Sequence, residues 1–296
     1  MMLQLHTQPT IGQCVALRNR AGSDASQALL DANTQEVLAF LALRPVHTVV
    51  MTSLIRDNGL VSDLNRGKFF GCRDAEGILE GVALIGHSTL IEARSERALR
   101  SLALAARSSE TPIHLVMSSE DHATRFWDIA GNGQAPRLSC VENLFEAAFP
   151  FPVKQANQLR KARPNEILQV AEAQAEVAFI ESGVDPLVRD REGFLSRVAR
   201  RIEQGRVYVK FDGDTLVFKA DVIAITDQTA YLEGIYTAPA YRGQGIGPRC
   251  LSNLTVDLLS DVSNVCMLSN ENFDSAHRSF ERAGYRQTGK CTTLFV

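Results

Sequence analysis

The stretch that decides the reading is Tyr231-Leu232-Glu233-Gly234-Ile235-Tyr236-Thr237-Ala238-Pro239-Ala240-Tyr241-Arg242-Gly243-Gln244-Gly245-Ile246-Gly247-Pro248-Arg249. Its apolar and β-branched start, Tyr231 to Thr237, reads as a strand. Gly243, Gly245 and Gly247 then let the backbone turn tightly and approach a ligand closely. Pro248 fits the first position of a helix running to about Leu259, where its missing N–H costs nothing. A helix start leaves N–H groups unpaired and carries the positive end of the dipole, which together favour an anion. Arg242 and Arg249 add charge. The stretch therefore reads as a cradle for a phosphate or diphosphate. A P-loop is excluded, because it needs Lys and then Ser or Thr after the last glycine, where Pro248-Arg249 stands. A dinucleotide fingerprint is excluded as well: the third glycine comes one residue early, and Ala238 to Tyr241 separate the glycines from the strand.

Outward from the loop, Gly234 inside a strand points to a bulge. Upstream, Leu159 to Ala162 reads as a strand, Pro164 as the start of a helix to about Ile180, and Glu192 to Gln204 as an amphipathic helix. Val207 to Phe211 and Thr215 to Ile225 form a hairpin across Asp212-Gly213. Downstream come a strand at Val265 to Leu268, a helix carrying Ala276, Phe280 and Ala283, and terminal strands from Tyr285 to Phe295.

The other half is mixed α and β without such a loop. Val37 to Leu43 and Val49 to Ile55 read as helices, and Lys68 to Gly71, Gly81 to Ile85 and Thr89 to Ile91 as a meander. Ser95 is placed to cap a helix with Leu99, Leu102, Ala103 and Ala106 on one face. Ile113 to Met117 and a short helix with Phe126 and Trp127 follow. The junction between Ile91 and Ala98 has no glycine and makes no cradle. His87, His114 and His122 are read as isolated structural or surface residues. Alternate prolines in Phe149-Pro150-Phe151-Pro152 stop both helix and central strand, so they divide the chain into units 1–150 and 151–296.

Composition bounds the classes. With 296 residues, two domains are expected, and 45% apolar against 22% charged residues is ordinary globular usage. A net charge of −3 argues against nucleic acid as a partner. No apolar run is long enough for a membrane span, and Met1 to Cys14 lacks the regions of a secretion signal, so a cytoplasmic chain is expected. Cys14, Cys72, Cys140, Cys250, Cys266 and Cys291 are too scattered for a zinc or dithiol site and read as reduced thiols; no metal site is expected.

The pattern Arg242, Gly245, Gly247, between a strand and a helix and followed by Asn272, Ala276, Phe280 and Gly284-Tyr285, resembles motif A and its sequel in the GNAT superfamily of acetyl-CoA-dependent N-acyltransferases. The likeness covers Leu159 to Val296. The whole chain, with Phe69-Phe70-Gly71 in its first half, also resembles two-domain acetyltransferases in which a degenerate GNAT-like unit precedes a competent one. The resemblance implies an α/β fold: tandem GNAT-like domains with a central mixed sheet flanked by helices. It implies acetyl-CoA as cosubstrate, with the amides of Arg242, Gly243, Gln244, Gly245, Ile246 and Gly247 around its diphosphate. Ile235, Tyr236 and Thr237 would line the pantetheine arm, Asn272 would touch the coenzyme, and Glu233 would be the catalytic base. Asn272 lies one residue further from Ala276 than the family pattern has it. Phe280 stands where the family carries its general-acid tyrosine. Either the thiolate leaves unassisted, or Tyr236 or another residue substitutes, or the chain does not turn over. The implied activity is transfer of an acetyl group to a primary amine on a small molecule or peptide. The alternatives are a non-catalytic acyl-CoA sensor and a protein-modifying acetyltransferase. The oligomeric state and the role of the first half stay open.

Overall fold

The computed structural model describes residues 25–149 and 158–296. The first half supplies β1 (Gln27–Ala28), α1 (Thr34–Leu41), α2 (Val49–Asn58), β2 (Gly67–Arg73), β3 (Leu79–Gly86) and β4 (Ser88–Ala93). It continues with α3 (Glu96–Arg107), β5 (Leu115–Ser119), α4 (His122–Ala130) and β6 (Leu138–Ala147). The second half supplies β7 (Arg160–Lys161), α5 (Ile167–Ser182), α6 (Pro186–Arg189), α7 (Arg191–Glu203), β8 (Val207–Asp212) and β9 (Thr215–Ile225). It ends with β10 (Thr229–Thr237), α8 (Ile246–Leu258), β11 (Asn264–Asn270), α9 (Asp274–Arg282) and β12 (Arg286–Phe295). Pro150, Phe151, Pro152, Cys14 and the N-terminal segment fall outside the described residues.

One mixed sheet of 12 strands runs through both halves in the order β1-β2-β3-β4-β5-β12-β6-β11-β10-β9-β8-β7. The order is a palindrome. β4 pairs in parallel with β5 as β10 does with β11, and every other neighbouring pair is antiparallel. At the centre each half lends the other its last strand: β6 joins β11, and β12 joins β5. The sheet is thus continuous across the expected 1–150/151–296 division. The fold class is as expected from the sequence, a mixed sheet flanked by helices. β6 lay in a stretch read as neither helix nor strand, and the expected terminal strands are one strand, β12, with a register shift between Gln287 and Gly289.

Side chains alternate across strands, so each face has its own helices. On one face α3 and α4 cover Ala83, Ile85, Ile91 and Val116, while α8 and α9 cover Phe218, Ala230, Leu232, Val265 and Met267. On the other lie α1 and α2 over Phe69, Val82, Leu84 and Leu90, with α5 and α7 over Val207, Val209 and Leu216. The stripes come from helical spacing: Leu99, Leu102, Ala103 and Ala106 in α3, and Cys250, Leu251, Leu254 and Leu258 in α8, are all buried. Each fully buried leucine contributes about 1.5–3 kcal/mol. α2 crosses between halves. Its Val49 packs with Ala224, Tyr231 and Cys266 of the second half. Asp57 accepts a forked pair from Arg206 at 2.6 and 2.9 Å, and Arg200 donates to Asn58 at 2.7 Å.

His87 and His114 are not isolated from one another, since their rings lie 5.0 Å apart. The described cysteines are buried and free, and burial raises the Cys140, Cys250, Cys266 and Cys291 thiols, Cys250 to about 11. None of these four is an activated nucleophile. Among the described residues no helix is long and apolar enough to cross a membrane. None of their His, Cys, Asp and Glu side chains gather into a metal-binding group.

Candidate functional site

Two strands that begin as neighbours and then part create the site. β10 pairs with β11 from Thr229 to Leu232, opposite Asn264 to Met267, and no further. β11 stays with β6 to Asn270, and β10 stays with β9 to Thr237. A wedge opens between them, with Ile235 to Thr237 unpaired toward β11. The expected bulge is there, a register shift between Glu233 and Tyr236. Gly234 has φ +58°, and a Cβ at that position would sit 2.6 Å from Lys219 Nζ and still closer to Gln174. Only glycine meets both demands.

After β10 the chain makes a short turn at Pro239–Tyr241 and enters α8 through Gly245, whose φ is +73°. No side chain caps this helix. A Cβ on Gly247 would lie 2.8 Å from Thr237 Oγ1, so a close helix–strand approach also needs glycine. α8 starts at Ile246, not at Pro248 as expected from the sequence. Pro248 is the third helical residue, and it still removes only a first-turn N–H that has no partner within the helix.

The wedge and the loop open on one cleft of about 870 Å³. That is the size of sites for extended ligands. The residues expected at the coenzyme line it together: Glu233, Ile235, Tyr236, Thr237, Arg242, Gly243, Gly245, Ile246, Gly247 and Asn272. Gln244 does not line the cleft; its amide donates to the Ala240 carbonyl at 3.1 Å. Nor does Arg249, whose guanidinium folds back onto the Gly245 and Gln244 carbonyls at 3.0 and 3.4 Å. Arg278 and Arg282, one turn apart on α9, occupy that wall instead. Arg242 is held at the Thr237 carbonyl (2.8 Å) and at Glu176 (3.3 Å). Asn272 is oriented by Asn270, which accepts its backbone N–H at 3.0 Å.

On the opposite sheet face from α8 the cleft is acidic. Glu233 of β10 meets Glu142 of β6 and Glu181 of α5, two carboxylates that sequence reasoning missed. Each is accessible from the cleft yet ringed by protein, which disfavours its charged form. Enclosure raises Glu233 above the ordinary carboxylate range, against the pull of Arg201 and a hydrogen bond with Tyr231. Enclosure, with the charges of Glu233 and Glu142, pushes Glu181 up to about 8. Glu142 is raised by burial and restrained by the Thr293 hydroxyl that donates to it. Behind the bulge, Lys219 is wholly buried; it pairs with Asp221 at 2.8 Å and donates to the Gly234 carbonyl at 3.1 Å and to Gln174.

Phe280 reaches the cleft wall and packs edge-on to Phe145 at 5.4 Å, so no proton donor stands at that position. Tyr285 is a core residue whose hydroxyl meets Thr255 at 2.6 Å. His277 donates from Nε2 to the Asn270 carbonyl at 3.0 Å, away from the cleft. Tyr236 lines the cleft, and its hydroxyl is raised by partial burial and by a hydrogen bond to Glu176.

Comparison with known proteins agrees with this geometry. Residues 203–287 match the family model of the acetyltransferase (GNAT) domain. No curated protein matches the chain in sequence. Among solved structures, a Drosophila protein superposes with a TM-score of 0.68 at 12% identity, covering 93% of this chain and 99% of its own. A GCN5-related N-acetyltransferase from Sphaerobacter thermophilus gives 0.59 at 15% identity, with 94% and 96% covered. A tandem GNAT protein of the clavulanic acid biosynthesis pathway gives 0.56 at 13% identity, with 92% and 97% covered. Residues 203–287 thus match a GNAT domain, and the whole chain shares its fold with these three structures.

Proposed function

We propose that this chain transfers an acetyl group from acetyl-CoA to a primary amine by direct transfer, as a cytoplasmic enzyme. The observation that carries the reading is the uncapped glycine entry to α8, opening on the wedge between β10 and β11 with carboxylates on its far side. The residues present fit the coenzyme. First-turn N–H groups of α8, with Arg242, suit a diphosphate, and the unpaired edge of Ile235 to Thr237 suits an extended amide-bearing arm. When bound, acetyl-CoA supplies the acetyl thioester.

The chain's own part is positioning and proton transfer. The wedge leads from the α8 side of the sheet to the side where Glu142, Glu181 and Glu233 gather. That side attracts a cationic amine and repels an anionic acceptor. Glu233 takes a proton from the ammonium group and leaves the lone pair free to attack. Its raised proton affinity makes it a stronger base than an ordinary carboxylate, and such a base contributes ~10²–10⁴-fold. The first half, a degenerate unit without a cradle, contributes Glu142 of β6 to the acceptor side. Titration with acetyl-CoA, followed by thiol release against a panel of amines, tests the reading. Binding with amine-dependent release, lost in Glu233→Gln, supports it; no binding overturns it.

Phe280 favours a second reading, a sensor that binds acyl-CoA without turnover. Acetyl-CoA binding without release on any amine would select it.

A further inference from the structure

Lys219 is the one wholly buried cation of the described residues, and the mechanism above does not use it. It donates hydrogen bonds to Gln174 on α5 and to the main-chain carbonyl of Gly234, and it forms an ion pair with Asp221 beside it on β9. Asp221 is held from the other side by Arg201 of α7 at 2.7 Å. The network therefore ties two helices and two strands to one peptide group. That peptide is the bulge. Opposite Asp221 and Lys219 on β9 stand Glu233 and Tyr236, and between these two pairs β10 carries one residue more than β9. Beyond this point β10 has left β11, so whatever fixes the Gly234 carbonyl fixes the direction of Ile235 to Thr237.

A hydrophobic residue of similar length fills such a position at least as cheaply, since burying an ion pair gains little net stability. The pair thus calls for an explanation other than stability.

We propose that Lys219 is a positioning residue: it holds the Gly234 bulge that opens the β10–β11 wedge. The inference rests on the proposed acetyl transfer only for its coenzyme-binding readout.

The test uses Lys219→Met, which keeps the stem and removes the donors, and Lys219→Gln, which restores a neutral donor. Amide hydrogen exchange of the ligand-free chain reads the bulge directly. Gly234 to Thr237 should exchange at least ~10-fold faster in Lys219→Met, with protection partly restored in Lys219→Gln. Acetyl-CoA should bind Lys219→Met at least ~10-fold more weakly. Partial recovery of both readouts in Lys219→Gln is the outcome that a packing role alone would not give. Unchanged exchange at Gly234 to Thr237 in a folded variant overturns the proposal. Should Lys219→Met not fold, Lys219→Gln, expected to exchange faster than wild type at the same residues, decides the point. Should wild type not bind acetyl-CoA, the functional reading fails, and the exchange measurement still decides the bulge.

Discussion

The two halves repeat one device with opposite outcomes. In each, two parallel strands pair for a few residues and then part, β4 from β5 after Leu90 and Met117, β10 from β11 after Leu232 and Met267. In the first half the gap is closed from within. Ser118 donates across it to the Ile91 carbonyl at 3.0 Å, and Arg44 reaches Glu92 at 3.1 Å and Ser119 at 3.4 Å. The chain then turns straight into α3, where the Ser95 hydroxyl accepts the Ala98 N–H at 3.1 Å and uses up a first-turn donor. In the second half nothing comparable among the described residues spans the wedge, and α8 starts at a glycine with no side-chain cap. A sheet edge and a helix start are binding groups only while the protein leaves them unspent. The difference between the halves is a difference in what has been satisfied internally.

That contrast can be broken in order of expected effect. Gly245→Glu puts a carboxylate on the uncapped helix start and a side chain at φ +73°, where nothing lies within 4 Å of the new Cβ. The left-handed strain costs about 1–2 kcal/mol, which the fold survives, while the acetyl-CoA-induced rise in melting temperature should vanish. An unaltered rise would mean that the diphosphate lies elsewhere. Next comes Glu233→Gln, expected to lower kcat/KM by ~10²–10⁴-fold with acetyl-CoA affinity kept. In wild type the acid limb should lie above the ordinary carboxylate range, because Glu233 must lose its proton to act and its enclosure by the cleft walls raises its proton affinity.

Glu181→Gln sharpens the comparison through stability. The folded chain holds the Glu181 proton up to about pH 8, and the unfolded chain releases it near the usual ~4.5. A raised carboxylate stabilises below the unfolded value, and that contribution disappears as pH rises through the folded one. Glu181→Gln should therefore gain melting temperature relative to wild type progressively between about pH 5 and pH 9. Parallel curves would exclude Glu181 as an enclosed acid. The smallest effect is expected from Ser95→Ala, which removes the first-half cap. It should cost about 1 kcal/mol in denaturant unfolding and leave acetyl-CoA affinity untouched. A change in affinity would make the first half part of the donor site.

The loop was legible because its chemistry is local. Gly243, Gly245 and Gly247 announce close backbone approach, and Gly234 announces the bulge, from a few consecutive letters. Ser95 could be read as a cap for the same reason. What could not be read lies in long-range pairing. β6 shows no clean alternation, because it is an inner strand with both faces covered, and its exchange with β12 is set by partners far along the chain. Glu142 and Glu181 are unremarkable charges until that exchange and the fold of α5 bring them to Glu233. Arg249 illustrates the reverse. A charge next to the glycines suggested a ligand contact, and the guanidinium instead satisfies the carbonyls of its own loop.

Amide hydrogen exchange with and without acetyl-CoA tests the central claim most directly, because it reads both wedges in one sample. The account predicts protection confined to Ile235 to Thr237 and the Gly243 to Gly247 loop, with Ile91 to Ala98 unchanged. Protection in the β4–α3 segment, or none in the β10–α8 segment at saturating acetyl-CoA, would contradict it.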